Sequence, residues 1–401
     1  MTATATTPAG IPADIVTDGV VAPHPLEPRI LQAMLPTDRP QNHASNLLAL
    51  PNGDLLCAWF AGSQEGVADI SISLSRLPAG SRQWSQPVML SNDPDRSEQN
   101  PILFLADRTL WLIWTAQASG NQDTAFVRCR QSADLGNSWG AIRTLFAEPG
   151  TFVRQPPVFS TSGRWLLPVF HCRTRPGEKW TGNHDVSAVR ISDDHGLTWR
   201  EVPVPASTGC VHMSIVPTGG GRLLALFRSR WADFIHASHS DDDGDSWTAP
   251  VPTGLPNNNS SIQATALRGG ALALVFNDSS AADATERRAS LYDEIEDVNH
   301  HGDRSNELVD APAGQRETFW GAPRAPMTLA ISSDGGLTWP WKRNLDEGDG
   351  YCMSNNSERK LNREFSYPSV TQSADGALHV SYTYFRQAIK YLRLEQSLLD
   401  A

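Results

Sequence analysis

Short apolar segments joined by tight turns recur six times along this 401-residue chain. Each copy has an apolar strand, a mostly Gly-centred turn and a second apolar strand, which is the pattern of a β-hairpin. Asn52-Gly53 and Asp375-Gly376 are strong turn signals, because Asn, Asp and Gly tolerate the positive φ that a two-residue hairpin turn requires. The six copies begin at Asn46, Pro101, Pro156, Met213, Ser261 and Pro368.

A second motif, Ser-x-Asp-x-Gly-x-x-Trp, follows four of the six hairpins, and a degenerate copy occupies residues 75–84. In such a turn Asp hydrogen-bonds the local backbone, Gly takes a conformation that other residues resist, and Trp packs the turn against its neighbour. A motif in phase with a hairpin repeat predicts many small sheets in one domain. The full copies run from Ser132 to Trp139, Ser192 to Trp199, Ser240 to Trp247 and Ser332 to Trp339.

In these turns the sequence resembles the sialidase (neuraminidase) superfamily, whose Asp boxes match the four full copies. The resemblance runs from about residue 40 to the end. It implies an all-β fold, a six-bladed β-propeller of four-stranded sheets. It also implies that the Asp boxes lie on the rim of the propeller and are structural, so we assign them no catalytic role.

We expect residues 1–26, which are rich in Thr, Ala and Pro, to form a loose N-terminal tail, and residues 27–401 to form a single propeller. The segment PRILQAML is expected to supply the strand that closes the last blade. A polar insertion at about 278–321 separates the fifth hairpin from its Asp box. Such insertions serve as lids, as arms for homo-oligomerisation or as disordered loops, and the sequence leaves all three open.

Composition narrows the classes of partner. The formal net charge is −11 and no long Lys/Arg run is present, which argues against nucleic acid. Neither a membrane-helix stretch nor a signal-peptide pattern is present, so we expect a cytoplasmic protein without a membrane partner. The five cysteines are scattered, which favours reduced thiols. Phosphate-loop and metal-binding motifs are also missing, so neither a cofactor nor a metal is expected.

The innermost strand of each propeller blade faces the central channel, so the residues leading into the six hairpins are expected to share one funnel. Polar residues dominate there, where packing alone would favour apolar ones. The funnel is therefore the predicted site of chemistry. Its candidates are His43, Glu98-Gln99-Asn100, Arg154-Gln155, His212, Asn258-Asn259 and Glu364 to Tyr367.

Roles follow from the resemblance, which implies a Tyr nucleophile, Arg residues that grip a substrate carboxylate, and an acid/base in the first blade. The nucleophile corresponds to Tyr367 in REFSYPSV. Arg228 and Arg324 correspond to two of the carboxylate-binding residues. The acid/base falls in GSQEGVADIS, where Asp69 is the better match and Glu65 is its rival.

The chain departs from the family pattern at two positions. His43 stands where the family has its first-blade Arg, and His212 stands where the family has the Glu partner of the tyrosine. We therefore expect a relative adapted to another acidic sugar rather than a true sialidase. His212 is a candidate base toward Tyr367, and His43 is a candidate ligand donor or proton shuttle. Further candidates for substrate binding are Arg154, Asn258 and Glu364.

Each candidate also has a structural interpretation, such as a packed aromatic for Tyr367 or an ion pair between blades for Arg228. Three functions stay open. The first is an exo-acting hydrolase that removes a terminal uronic or sialic-like sugar from a glycan or glycoside. The second is a uronate lyase with His and Tyr as its acid/base pair. The third is a propeller binding module without turnover.

Overall fold

The computed structural model describes residues 15–288, 290–291, 316–352 and 356–399. These residues form six antiparallel sheets arranged in a ring, so the predicted six-bladed β-propeller is confirmed. Two short 3-10 turns, Ala281–Asp283 and Gln396–Leu398, accompany the strands. No helix among the described residues has the length and apolar character needed to cross a membrane.

The first three blades follow the chain in order. Blade 1 comprises Gln41–Ala49, Leu55–Gly62, Ser71–Leu77 and Val88–Met89. Blade 2 comprises Ser97–Ala106, Thr109–Ala118, Asn121–Ser132 and Arg143–Phe146. Blade 3 has an inner strand split into Thr151–Val153 and Val158–Phe159, followed by Trp165–His171, Val186–Ser192 and Arg200–Pro203.

The remaining three blades complete the ring. Blade 4 comprises Cys210–Gly219, Arg222–Ser229, Phe234–Ser240 and Val251–Pro256. Blade 5 comprises Gln263–Ala266, Leu272–Asn277, Met327–Ser332 and Trp341–Asp346. Blade 6 comprises Phe365–Gln372, Leu378–Tyr384 and Ala388–Leu394, to which the N-terminal strands Ile30–Met34 and Ala22–Pro23 are added.

The N-terminal segment closes the ring. Ile30–Met34 pairs antiparallel with Ala388–Leu394, as the sequence predicts for PRILQAML. The loose tail expected over residues 1–26 differs within its described part, because Val21 is buried and its backbone N–H donates to the Arg82 carbonyl. Residues 15–26 are thus tied to blades 1 and 6, whereas residues 1–14 lie outside the described residues.

The core lies between neighbouring blades, where apolar side chains of facing strands interdigitate. Between blades 2 and 3, for example, Ile113 and Val127 pack with Leu167 and Val169, and all four are buried. Fully burying such a side chain stabilises the fold by roughly 1.5–3 kcal/mol. The alternating apolar side chains of each strand therefore hold neighbouring blades together.

The Ser-x-Asp-x-Gly-x-x-Trp turns join the third and fourth strands of blades 2 to 5. In blade 2, Asp134 Oδ1 accepts hydrogen bonds from the Ser132 hydroxyl at 2.7 Å and from the Ser138 backbone N–H at 2.8 Å. Because strands alternate in direction, these turns lie at the same end of each blade as the first hairpin. The opposite end carries the connections between the second and third strands and between blades, and the candidate residues lie there.

Two consecutive left-handed residues shape each of these turns, and only the second is Gly in all four copies. In blade 5, Gly335 has φ +75° with open space around it, whereas Gly336 has φ +92° and a Cβ there would lie 2.3 Å from Leu224 Cδ2 of blade 4. The first position accommodates Leu135 in blade 2 and His195 in blade 3. The second position therefore needs Gly for close packing as well as for its backbone conformation.

We expect Gly336→Ala to lower the free energy of unfolding by roughly 2–4 kcal/mol, because it adds overpacking against Leu224 to the strain of a positive φ. Gly335→Ala is the matched control and is expected to cost at most about 1 kcal/mol, because it adds strain without a contact. Urea unfolding of both variants measures the difference. Equal costs would contradict the packing role of Gly336.

Candidate active site

A β-bulge interrupts the inner strand of several blades at the same level of the channel, and each bulge holds a non-Gly residue with positive φ. The strand register shifts at this point in blades 1, 2, 4 and 6. His212 has φ +53° and Tyr367 has φ +52°. Such backbone strain costs about 1–3 kcal/mol per residue and concentrates at functional sites. The bulged residues with positive φ are Ala44, Asn100, His212 and Tyr367, and Asn259 has a positive φ just ahead of the inner strand of blade 5.

Tyr367 is buried at the centre of this level and is surrounded by arginines. Its hydroxyl oxygen accepts a hydrogen bond from Arg228 Nη1 at 2.6 Å. The guanidinium carbons of Arg154, Arg228 and Arg324 lie 5.4, 5.6 and 5.6 Å from the centre of its ring. Negative charge that develops on the phenolic oxygen is therefore stabilised directly by Arg228.

His43 lies against the same tyrosine, with 4.3 Å between the two ring centres. Burial and the nearby guanidinium groups, Arg386 first among them, hold the pKa of His43 well below its usual value, so the ring is neutral. Its Nδ1 lies 2.8 Å from Thr383 Oγ1, which itself accepts the Ala44 backbone N–H. Among the described hydrogen bonds, Nδ1 is the one acceptor available to the threonine hydroxyl, so we assign the hydroxyl as the donor and the proton of the ring to Nε2.

His212 faces Tyr367 edge-on, with ring centres 5.5 Å apart, and lies against Phe170. Burial and then Arg228 hold the pKa of His212 well below its usual value, so this ring is also neutral. Its Nε2 lies 3.4 Å from Arg228 Nη1, the nitrogen that also donates to Tyr367. Because Arg is always a donor, Nε2 is an acceptor and Nδ1 carries the proton.

Four buried side-chain nitrogens around Tyr367 have no hydrogen-bond partner among the described residues. They are His43 Nε2, His212 Nδ1, Arg228 Nη2 and Arg154 Nη1. Each carries a proton in the tautomers derived above, so all four are N–H donors. Buried donors without a partner are costly, and an acceptor-rich ligand would satisfy them.

The arginines of the funnel differ in their charge partners. Arg324 pairs with Glu364, and Arg230 pairs with Asp185 at 2.7 Å. Arg228 and Arg154 have no carboxylate partner among the ion pairs of the described ranges; burial lowers the pKa of Arg228 to about 9, which still leaves it charged at neutral pH. Two uncompensated positive charges thus lie beside Tyr367, which suits an anionic ligand.

The predicted carboxylates take different places. Glu364 is buried and accepts hydrogen bonds from Arg324 and from the Ser366 hydroxyl. Burial alone would raise the pKa of Glu364, but the charges of Arg324 and then Arg386 hold this pKa at about 2. Glu65 is buried against Arg386 in a short ion pair. Both carboxylates are therefore bound by arginines of the funnel.

Asp69 is exposed, unlike Glu65. Its carboxylate accepts hydrogen bonds from the backbone N–H and the hydroxyl of Ser63, both at 2.9 Å, which closes the loop of residues 63–69. A carboxyl group in contact with solvent can exchange protons with water, as an acid/base must.

Asn258 lies apart from the ring around Tyr367, because its amide donates to the Pro323 carbonyl at 2.8 Å and to the Ser279 hydroxyl at 3.2 Å. Its neighbour Asn259 lies ahead of the first strand of blade 5, and its side-chain oxygen accepts from Arg228 Nε at 2.8 Å. Arg154 lies against the Tyr367 ring, and its Nη2 donates to carbonyls of blades 1 and 6.

The insertion of blade 5 contributes to the funnel with its returning limb. Phe319 accepts a hydrogen bond from Asn259 and donates one to the Arg230 carbonyl. The ring of Trp320 lies 5.8 Å from the Arg228 guanidinium. Residues 292–315, on which the predicted oligomerisation arm depends in part, lie outside the described residues.

Sequence reasoning missed several residues of this site, notably Arg386 and Thr383. Arg386 follows the second strand of blade 6 in a loop, where a single Arg carries no sequence signal. In the described part of the chain no three His, Cys, Asp or Glu side chains converge as a metal site would require.

The profile of the BNR repeat-like domain family matches residues 53–380. Among solved structures, a Hadza microbial sialidase is 14% identical with a TM-score of 0.64, and the match covers 89% of this chain and 66% of that one. An intramolecular trans-sialidase from Ruminococcus gnavus in complex with oseltamivir carboxylate is 13% identical with a TM-score of 0.63, over 90% and 95% of the two chains.

A protein of unknown function from Dyadobacter fermentans is 16% identical with a TM-score of 0.63, over 95% of this chain and 98% of that one. At these identities the similarity shows a shared fold. This chain spans about two thirds of the length of the Hadza sialidase. A search of curated proteins found no match.

The neutral histidines make stability depend on pH. Below about pH 6.5 the unfolded chain protonates His43 and His212 whereas the folded protein does not, so the free energy of unfolding falls as the pH falls. Each contributes about 2 kcal/mol of loss at pH 5. We expect the His43→Gln/His212→Gln variant to lose less stability than wild type between pH 7 and pH 5 in urea unfolding. His239→Gln, at an exposed position, is the control, and equal losses in all three proteins would contradict the assignment.

Proposed function

The chain belongs to the BNR repeat-like domain family, and from this we propose that it is a sialidase-like enzyme that cleaves a terminal acidic sugar from a glycan or glycoside. The observation that carries the proposal is the hydrogen bond from Arg228 to the Tyr367 hydroxyl, within a ring of buried N–H donors that lack partners among the described residues. This arrangement suits a tyrosine nucleophile beside a substrate anion.

The charge balance supports an acidic substrate. Arg228 and Arg154 have no acid partner among the described ion pairs, and a carboxylate on the sugar would supply one. The similar trans-sialidase from Ruminococcus gnavus is known with oseltamivir carboxylate, a ligand with a carboxylate group. We propose that the substrate carboxylate binds Arg228 and Arg324, on either side of Tyr367.

The proposed reaction is a displacement by Tyr367. Its hydroxyl oxygen bonds to the anomeric carbon while the glycosidic C–O bond breaks, and Asp69 donates a proton to the leaving oxygen. The phenolic proton passes to His212, whose Nε2 approaches the same Arg228 nitrogen as the phenol. Water then attacks the anomeric carbon and the bond between sugar and Tyr367 breaks, while Asp69 takes a proton from that water and His212 returns its proton to the Tyr367 oxygen.

The two histidines favour a substrate other than an ordinary sialoside. Neutral His43 and His212 supply weaker electrostatic attraction than a charged Arg and weaker proton withdrawal than a carboxylate. We therefore propose a uronic or sialic-like sugar with fewer contacts to blade 1.

The same neutrality supports a second candidate, a uronate lyase. A neutral imidazole can remove the proton beside the sugar carboxylate, and the glycosidic oxygen then leaves from the adjacent carbon. The unsaturated product of this elimination absorbs ultraviolet light, whereas the products of hydrolysis do not.

We expect turnover in a screen of reporter glycosides of glucuronic, galacturonic and sialic acids and of acidic oligosaccharides, read by aglycone release and by ultraviolet absorbance. Tyr367→Phe is expected to lower kcat at least 10³-fold (about 4 kcal/mol in the activation barrier), because it removes the nucleophilic oxygen. Tyr384→Phe, in the same blade, is the control and should retain activity. Full turnover by Tyr367→Phe would refute the mechanism.

Arg228→Lys keeps a positive charge but removes the forked geometry that serves the carboxylate, Asn259 and Tyr367 together. We expect KM for the acidic glycoside to rise about 10- to 100-fold. Steady-state kinetics measures this effect. An unchanged KM would argue that the substrate anion binds elsewhere.

A further inference from the structure

A buried chain of alternating charges runs from the first blade to the substrate funnel. Arg386 Nε donates to Glu364 Oε1 at 2.6 Å, and its Nη1 forms a short ion pair with Glu65 Oε2. The side chains of these three residues are each at most 4% exposed. A guanidinium shared by two carboxylates in this way holds both at fixed positions.

The chain continues from Glu364 to Arg324. Arg324 Nη1 lies 3.2 and 3.3 Å from the two carboxylate oxygens of Glu364, and the Ser366 hydroxyl donates to Oε1 at 2.9 Å. The order of signs is therefore Glu65, Arg386, Glu364, Arg324. Only the last member lies against the Tyr367 ring.

The backbone of Arg386 is fixed as firmly as its side chain. Phe385 and Arg386 both have left-handed conformations, with φ +52° and +53°, in the loop before the third strand of blade 6. The Arg386 carbonyl accepts the Asn42 N–H at 2.6 Å, and the Phe385 N–H donates to the Glu364 carbonyl at 2.8 Å. The guanidinium thus projects from a loop attached to both blade 1 and blade 6.

At its other end the chain holds the loop of residues 63–69. Glu65 lies in this loop, and its backbone N–H donates to the Gln41 side chain at the start of blade 1. Asp69 closes the loop through Ser63. An anchor at Glu65 therefore constrains the segment that presents Asp69.

We propose that Arg386 is a positioning residue that fixes both Arg324, through Glu364, and the Asp69 loop, through Glu65. This inference rests on the proposed function, because it takes Arg324 as a ligand of the substrate carboxylate and Asp69 as the acid/base. Glu65 then anchors the loop and is not itself the acid/base.

Arg386 is poorly suited to bind the substrate anion directly. Burial opposes its charge, but Glu364 and Glu65 raise the pKa of Arg386 and occupy two of its nitrogens. Arg228, by contrast, has no carboxylate partner among the described ion pairs. In the same described ranges Arg324 has one carboxylate partner, which it contacts through Nη1 alone, whereas Arg386 has two. A substrate anion therefore gains most from Arg228 and more from Arg324 than from Arg386.

The kinetic test uses two variants. Glu65→Gln leaves Arg386, Glu364 and Arg324 connected and loosens only the loop, so kcat should fall about 10-fold with KM within twofold of wild type. Glu65→Gln/Arg386→Met removes one charge of each sign, which avoids an unpaired buried carboxylate. It should show the same loss in kcat and, in addition, a rise in KM of about 10-fold or more for the acidic reporter glycoside.

The control is Lys390→Met/Asp346→Asn, which removes an ion pair of 2.7 Å between blades 5 and 6 that does not join Arg324 and whose side chains are 5% and 17% exposed. It should change Tm without separating KM from kcat. The proposal is overturned if the two test variants keep the kcat and KM of wild type. It is also overturned if kcat and KM change together in both test variants, as we expect for the control.

A crystal structure of the double variant tests the proposal independently of turnover. Arg324 should leave its place 5.6 Å from the Tyr367 ring, and the loop of residues 63–69 should move once its anchor to position 386 is lost. An unmoved Arg324 would overturn the proposal. Failure of wild type to cleave any acidic glycoside would instead overturn the proposed function, while the positions of Arg324 and the loop would still decide whether Arg386 fixes them.

Discussion

This site depends on one constraint, which is that several guanidinium groups are buried together in one funnel. Isolated buried charges are expensive, so each must find an acid, a set of carbonyls or a ligand. Arg230, Arg324 and Arg386 have acids, and Arg154 uses backbone carbonyls. Arg228 is held by a neutral amide and a phenol instead, so the unmet demand for negative charge is concentrated beside Tyr367.

The propeller allows this demand for negative charge to be concentrated because its two ends contain different kinds of structure. The Ser-x-Asp-x-Gly-x-x-Trp turns and the first hairpins lie at one end, where local hydrogen bonds and close packing hold the blades together. The bulges and connecting loops lie at the other end, where strained residues such as His212 and Tyr367 are tolerated. The ordered ladders between the two ends provide the rigidity that such strained residues need.

Much of the fold is predictable from sequence because its signals are local. Each hairpin and each Asp-centred turn is encoded by fewer than about twenty consecutive residues. The closing strand, Ile30–Met34, is recognisable as a separate apolar segment. Tyr367, His43 and His212 can be selected because the inner strands of a propeller converge on one channel, whereas Arg228, on a second strand, is selected from the resemblance to sialidases.

The remaining site residues depend on information that the pattern lacks. Asn258 and Asn259 are adjacent polar residues ahead of the first strand of blade 5, and only the contacts of the folded chain show that Asn259 holds Arg228 while Asn258 bonds to Pro323. The sequence favours Asp69 over Glu65 only by its match to the family pattern, and burial of Glu65 against Arg386 adds the physical distinction. Arg386 itself is defined by contacts with residues 22 and 321 positions away along the chain.

Closure of the ring by Ile30–Met34 has a consequence for how the site comes into being. His43 belongs to the first blade, whereas Tyr367 and Arg386 belong to the last, so the site straddles the joint where the two ends of the ring meet. Contacts this distant in sequence form late, after the intervening blades have brought the ends together. The site therefore exists only when the ring of six blades is closed. Five blades alone would contain most of the binding groups but would not assemble them into the site.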